Sequence, residues 1–129
     1  PEITKIGTDM AVPIDRLEEM LAHYREGVSQ AGIDHCIFGH IGNGHLHVNL
    51  MPESIKQWRT GYELYHRFAE RAVELGGSVA AEHGLGRLKR SFLEIQYSSE
   101  QIEAMRKVKR LLDPAGVLNP GVLFPSSSE

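Results

Sequence analysis

The spacing of apolar positions changes several times along the chain, and each change predicts an element. Ile3, Ile6, Met10 and Val12 are interleaved with polar residues over residues 2–12, which predicts a first strand ending at Pro13. The period then lengthens. Leu17, Met20, Leu21, Tyr24 and Val28 fall on one helical stripe, Asp15 with Glu18 suits a capping box, and Ala31-Gly32 closes the helix. Two strands are expected next, over residues 33–40 and 45–50. Strict alternation in the second puts His45, His47 and Asn49 on one side and Leu46, Val48 and Leu50 on the other. Pro52 is expected to open a second helix, in which Trp58, Tyr62, Tyr65, Phe68, Ala69, Ala72 and Val73 keep helical spacing and which Gly76-Gly77 ends. Residues 78–81 have the length of a short last strand.

The order strand, helix, strand, strand, helix, strand predicts an α+β domain of the ferredoxin-like, split βαβ (β-α-β-β-α-β) kind. Its antiparallel sheet carries both helices on one face. C-terminal helices and a tail follow. Ser98 with Gln101 reads as a capping box, Tyr97 with Ile102 as a hydrophobic staple, and Ile102, Met105, Val108, Leu111 and Leu112 as the buried side of a final helix. Arg106, Lys107, Lys109 and Arg110 gather toward its C-terminal end, where cations oppose the helix dipole. Residues 126–129 are expected to be a disordered tail.

Composition narrows the function classes. The 129 residues suffice for one domain, and a net charge of -3 supplies no basic field for a nucleic-acid backbone. The single cysteine, Cys36, excludes an internal disulfide or a thiolate cluster and reads as a small buried side chain. No apolar run is long enough to span a membrane.

What changes the picture is the run from His35 to Leu50. Four of the seven histidines fall within its first thirteen residues, interrupted by Gly39, Gly42 and Gly44. With a turn over residues 41–44, His40 faces His45 across a hairpin and His47 lies one diagonal step away. Glu82, at the end of the last short strand, can approach the same neck. Two imidazoles and a carboxylate suit a divalent metal with positions left open, so His40, His47 and Glu82 are candidate ligands. His45 reads as a neighbour of the metal or a surface ring, and His35 as structural. Histidines at strand ends also bond plain backbone, and that alternative stands beside the metal. His83 follows a candidate ligand and precedes a glycine, which suits a general base working near neutrality. Arg87, Lys89 and Arg90 could hold a substrate carboxylate, or form a solvated basic cluster.

Four segments together resemble the C-terminal end of FAD-linked oxidases of the vanillyl-alcohol-oxidase superfamily. The group they resemble contains the D-lactate dehydrogenases, glycolate oxidase D-subunits and D-2-hydroxyglutarate dehydrogenases. The segments are Thr8-Asp9-Met10-Ala11-Val12-Pro13, Gly39-His40-Ile41-Gly42-Asn43-Gly44-His45-Leu46-His47, Glu82-His83-Gly84-Leu85-Gly86 and Leu112-Asp113-Pro114-Ala115-Gly116-Val117-Leu118-Asn119-Pro120-Gly121. They stand in the family's order and cover nearly the whole chain.

The resemblance implies that His40, His47 and Glu82 bind a divalent metal, zinc or manganese, and that His83 takes the substrate hydroxyl proton. It implies that Asn49 contacts substrate and that Asn119 belongs to a segment returning toward the flavin. Two residues depart from the family's usual pattern: Asn43 stands in place of an aspartate, and His45 in place of an asparagine. Residues 1–125 are then expected to be the C-terminal part of the substrate- and metal-binding (cap) domain, with the domain that binds FAD lying upstream of this chain. The implied function is oxidation of a small 2-hydroxy acid to the 2-oxo acid by the whole enzyme, the isolated piece being inactive. Implied partners are the hydroxy-acid substrate, the upstream flavin domain and an electron-acceptor protein or quinone. The implied location is cytoplasmic or membrane-peripheral, and the piece alone is expected to self-associate. A free-standing metal-binding or protein-interaction module is the alternative.

Overall fold

A computed structural model describes residues 3–125 and divides at His83 into two compact units, 3–83 and 84–125. The expected tail, residues 126–129, lies outside the described residues, as does residue 2 of the expected first strand.

The first unit is the split βαβ arrangement. In chain order it holds β1 (Ile6–Gly7), a 3-10 turn (Ile14–Arg16), α1 (Leu17–Ala31), β2 (Asp34–His40), β3 (His45–Met51) and α2 (Ile55–Glu74). The sheet is antiparallel with order β1-β3-β2. Beyond β1 the chain stays beside its neighbours: Ala11 bridges His45 on one side and Ser78 on the other. The segment after α2 thus takes the place of the fourth strand, reduced to one bridge, with Ala81 N–H donating to Asp9 O at 2.7 Å. The first strand is likewise shorter than residues 2–12.

Helices and strand share one core. Met20, Tyr24 and Val28 of α1, Leu64, Phe68 and Ala72 of α2, and Val48 and Leu50 of β3 are buried. Tyr24 meets Phe68 edge-on at 4.8 Å. Gly61, a weak helix former in mid-helix, has a packing reason: a Cβ there would stand 3.0 Å from Ile6 Cδ1 and 3.3 Å from Leu50 Cδ1. The absent side chain lets α2 lie close on the sheet.

Two helix starts differ from expectation. Asp15 makes no cap, because the chain leaving Pro13 forms the 3-10 turn first and α1 begins at Leu17 without a side-chain cap. At α2 the start is set by Ser54, whose hydroxyl accepts from Gln57 N–H, rather than by Pro52. Cys36 is exposed, not buried, since β2 is an edge strand open over almost its whole length.

The second unit holds α3 (Phe92–Gln96) and α4 (Ser99–Leu112). The Ser98/Gln101 capping box is formed in both directions. Of the stripe expected to be buried on α4, Ile102 is buried, but Val108, Leu111 and Leu112 are exposed at 58, 80 and 76%. The helical period is there; a layer over its far end is not, among the described residues. Asp113 ends the helix. It pairs with Lys109 and accepts from the backbone N–H groups of Val117 and Leu118, which holds its carboxyl below the ordinary range, chiefly through Lys109.

Candidate metal centre

The hairpin neck is built by register. His40 pairs with His45 and Phe38 with His47, so the imidazoles emerge together on the sheet face away from Leu46, Val48 and Leu50. The turn between the strands is a 3-10 turn, Ile41–Asn43, closed by Gly44 at φ +63°. Any side chain at Gly44 would collide with Val12 O, which a Cβ would meet at 1.9 Å. That approach lets the Thr8–Val12 segment pass under the histidines. Asn43 is exposed in the turn and, with Ala11, His40, His45, Ser78 and Glu82, lines an open depression.

Three imidazole nitrogens converge on one carboxylate oxygen. Glu82 Oε1 lies 3.4 Å from His40 Nε2, 3.2 Å from His45 Nδ1 and 3.4 Å from His47 Nε2. His47 has a defined tautomer. Its Nδ1 stands 2.8 Å from the carbonyl of Thr8, which only an N–H can satisfy, so in the neutral ring Nε2 carries the lone pair, on the side of Glu82. A lone pair facing a carboxylate oxygen is unfavourable, and a proton or a metal ion between the two relieves it. Donor atoms bound at about 2.0–2.1 Å in a tetrahedron lie about 3.3–3.4 Å apart, which is near the distance of each of the three nitrogens from Glu82 Oε1. The set of donors all close to one another is Asp9, His45, His47 and Glu82, with His40 outside it. His and carboxylate donors are the set a borderline divalent ion takes, so these residues fit a metal.

One member of the cluster was not foreseen. Asp9, Glu82, His45 and His47 each offer an atom within 4.8 Å of the others, and Asp9 is fully buried. Its Oδ2 accepts from His83 N–H at 2.9 Å and its Oδ1 from Glu82 N–H at 3.4 Å. Oδ1 also stands 3.4 Å from His45 Nε2 and 3.5 Å from His83 Nδ1. A carboxylate within the segment read as the first strand was the available signal, because charges are buried only with partners. Burial, and then His47, push the His45 pKa below its ordinary value.

The remaining expected residues fall as follows. His83 is exposed, and its ring stacks on His47 at 5.2 Å and 14°. Asn49 is half-buried on the same face of β3, two residues past His47. His35 bonds the Ile33 carbonyl, as a structural ring does. Arg87 and Lys89 belong to the second unit, in the turn that leads to α3, with Arg87 exposed and Lys89 half-buried. Arg90, beside them, donates to Gly121 O. Asn119 is exposed with a positive φ of 45°, a conformation asparagine tolerates. No Rossmann-type dinucleotide cradle is found among the described residues: the sheet is antiparallel and no strand leads through a glycine turn into a helix N-terminus. No helix described is long and apolar enough to cross a membrane.

Comparison with known proteins gives this geometry a family. Glycolate oxidase subunit GlcD of Bacillus subtilis is 32% identical over 94% of this chain and 26% of its own length. For mitochondrial D-2-hydroxyglutarate dehydrogenase of Bos taurus the values are 35%, 92% and 22%, and for D-lactate dehydrogenase of Archaeoglobus fulgidus 37%, 88% and 25%. The chain therefore spans about a quarter of the length of these relatives. The family model for the C-terminal domain of FAD linked oxidases matches residues 1–123, and the chain belongs to that family.

Proposed function

We propose that this chain is the metal- and substrate-binding part of an FAD-dependent enzyme that oxidises a small 2-hydroxy acid to the 2-oxo acid. Glycolate, D-lactate and D-2-hydroxyglutarate are the candidates, after the names of its relatives. The observation that carries the reading is the convergence of His40 and His47 on Glu82, with the His47 tautomer set by the Thr8 carbonyl. These three residues would hold a divalent ion, zinc or manganese. The ion supplies Lewis-acid polarisation of the substrate hydroxyl, and FAD, held by protein outside this chain, supplies the electron acceptor.

The chain's own residues do the rest. Asp9 fixes His83 through its backbone N–H and faces its Nδ1, leaving the opposite ring edge to accept the hydroxyl proton. Stacking on His47 keeps that ring beside the ligands. Asn49 would hydrogen-bond the substrate from the same strand face. Arg87 and Lys89 would neutralise the substrate carboxylate, and Asn119 would contact the flavin side.

The test is flavin reduction by these hydroxy acids in the protein joined to its flavin-binding part. His83→Ala is expected to lower the rate at least 100-fold with flavin and metal contents unchanged, in line with the loss of a general base. Normal reduction by the variant would remove the base assignment. Bound metal without any flavin reduction would leave a metal-binding module instead.

A further inference from the structure

We propose that His45 is itself a ligand of this centre, bound through Nδ1 and backed by Asp9, so that the protein donors are His40, His45, His47 and Glu82. The inference rests on the metal reading above and adds to it a ligand and its support. His45 differs from His40 in being closed to solvent: its side chain is 5% exposed, that of His40 62%. A buried ring must account for both nitrogens. Its Nδ1 is 3.2 Å from Glu82 Oε1 and its Nε2 3.4 Å from Asp9 Oδ1, and Nε2 has no hydrogen bond.

As a metal ligand the ring is neutral, so it carries one proton and can serve only one of these carboxylates as donor. The Glu82 side already receives two other imidazole nitrogens, and the lone pair of His47 Nε2 is on that side. Placing the lone pair of Nδ1 there too, and the proton on Nε2 facing Asp9, makes every group consistent once a cation lies among the donors. Asp9–His45–metal is then a carboxylate–histidine–metal arrangement, in which the outer carboxylate fixes the tautomer and raises ligand basicity. Asp9 is placed for this by its own bonds to the backbone of Glu82 and His83. One buried carboxylate therefore sets both the imidazole and the glutamate ligand.

The consequence is a nitrogen-rich site. Three imidazoles and one carboxylate favour zinc over manganese or magnesium, which prefer oxygen donors. Four protein donors would complete a four-coordinate ion, so a substrate oxygen would have to enter as a further ligand.

The test is a zinc titration of the ¹⁵N-labelled 129-residue chain, followed by histidine ring nitrogen resonances. The expected result is that His45 Nδ1 moves on zinc addition together with His47 Nε2, while His45 Nε2 keeps its proton. A His47 Nε2 that moves while His45 does not would overturn this inference and leave the metal reading standing. No zinc-dependent change at any histidine would overturn both. In a second arm, His45→Asn is expected to weaken zinc binding at least 10-fold, and Asp9→Asn by about 10- to 100-fold. Zinc binding by a folded His45→Asn chain as tight as in the unaltered chain would also overturn the proposal. Should that variant fail to fold, the titration of the unaltered chain decides.

Discussion

Along His45–Leu50 the two faces of β3 are both largely buried, and by opposite means. On one, Val48 and Leu50 are wholly buried, and Leu50 lies where α2 has only Gly61. On the other, His45 and His47 are 4 and 8% exposed, yet their neighbours are Asp9, Glu82, His83 and the ring of Phe38, 5.3 Å from His47. An apolar face draws its stability from area removed from water and needs no ligand to be satisfied. A face of imidazoles and carboxylates costs desolvation free energy, which a cation offsets and packing does not. Period two in the sequence thus separates a structural face from a chemical one within a single strand.

The largest expected effect follows from that contrast. Leu50→Ala opens a cavity between β3 and α2 and is expected to destabilise the chain by about 2–5 kcal/mol. Zinc affinity of the folded fraction should change little, because the imidazoles face the other way. Urea unfolding with and without zinc measures both quantities. A Leu50→Ala chain of normal stability, or one that loses zinc binding while folded, would break the division of labour between the faces.

A smaller effect sharpens it. Thr8 serves both faces: its hydroxyl accepts from Val48 N–H at 2.8 Å, while its carbonyl holds His47 Nδ1 at 2.8 Å. Thr8→Val keeps shape and carbonyl but leaves the buried Val48 N–H without that acceptor, at a cost of about 1–3 kcal/mol. Zinc binding should persist, since the group that orients His47 is backbone. Equilibrium dialysis against zinc, beside a urea curve, tests both halves. Affinity lost along with stability would mean that the hydroxyl, not the carbonyl, supports the site.

Much of this arrangement was legible in the chain. The pairing of His40 with His45 followed from a four-residue turn ended by Gly44, and the split βαβ order followed from the alternation of periods. The parts that were not legible depend on what lies opposite each residue. Cys36 has the composition of a core position, but strand order puts it on an edge. Val108, Leu111 and Leu112 carry a clean helical stripe, yet a stripe does not state what covers it. Asp15 offered a capping signal, and the stiff turn after Pro13 took precedence. The role of Asp9 is not legible in its segment, because its partners, His45, Glu82 and His83, are distant in sequence.

The smallest effect concerns a histidine on the apolar side of the comparison. His23 of α1 packs edge-on against Phe68 at 5.7 Å, and its Nε2 is buried without a hydrogen bond. Burial first, and then the charge of Arg71, lower its pKa from the ordinary 6.5. The unfolded chain therefore binds a proton at this position more readily than the folded one. Stability from this group is complete above about pH 6.5 and is lost as pH falls through the lowered folded value. His23→Gln should make the decline of stability between pH 7.5 and 5 shallower, measured as urea midpoints of the two chains at both values. The slope should shrink rather than vanish, because His45 is lowered in the same direction on the opposite face and remains in the variant. Parallel declines would show that protonation of His23 is not what the fold resists, and would leave the acid sensitivity to the metal-facing side of β3.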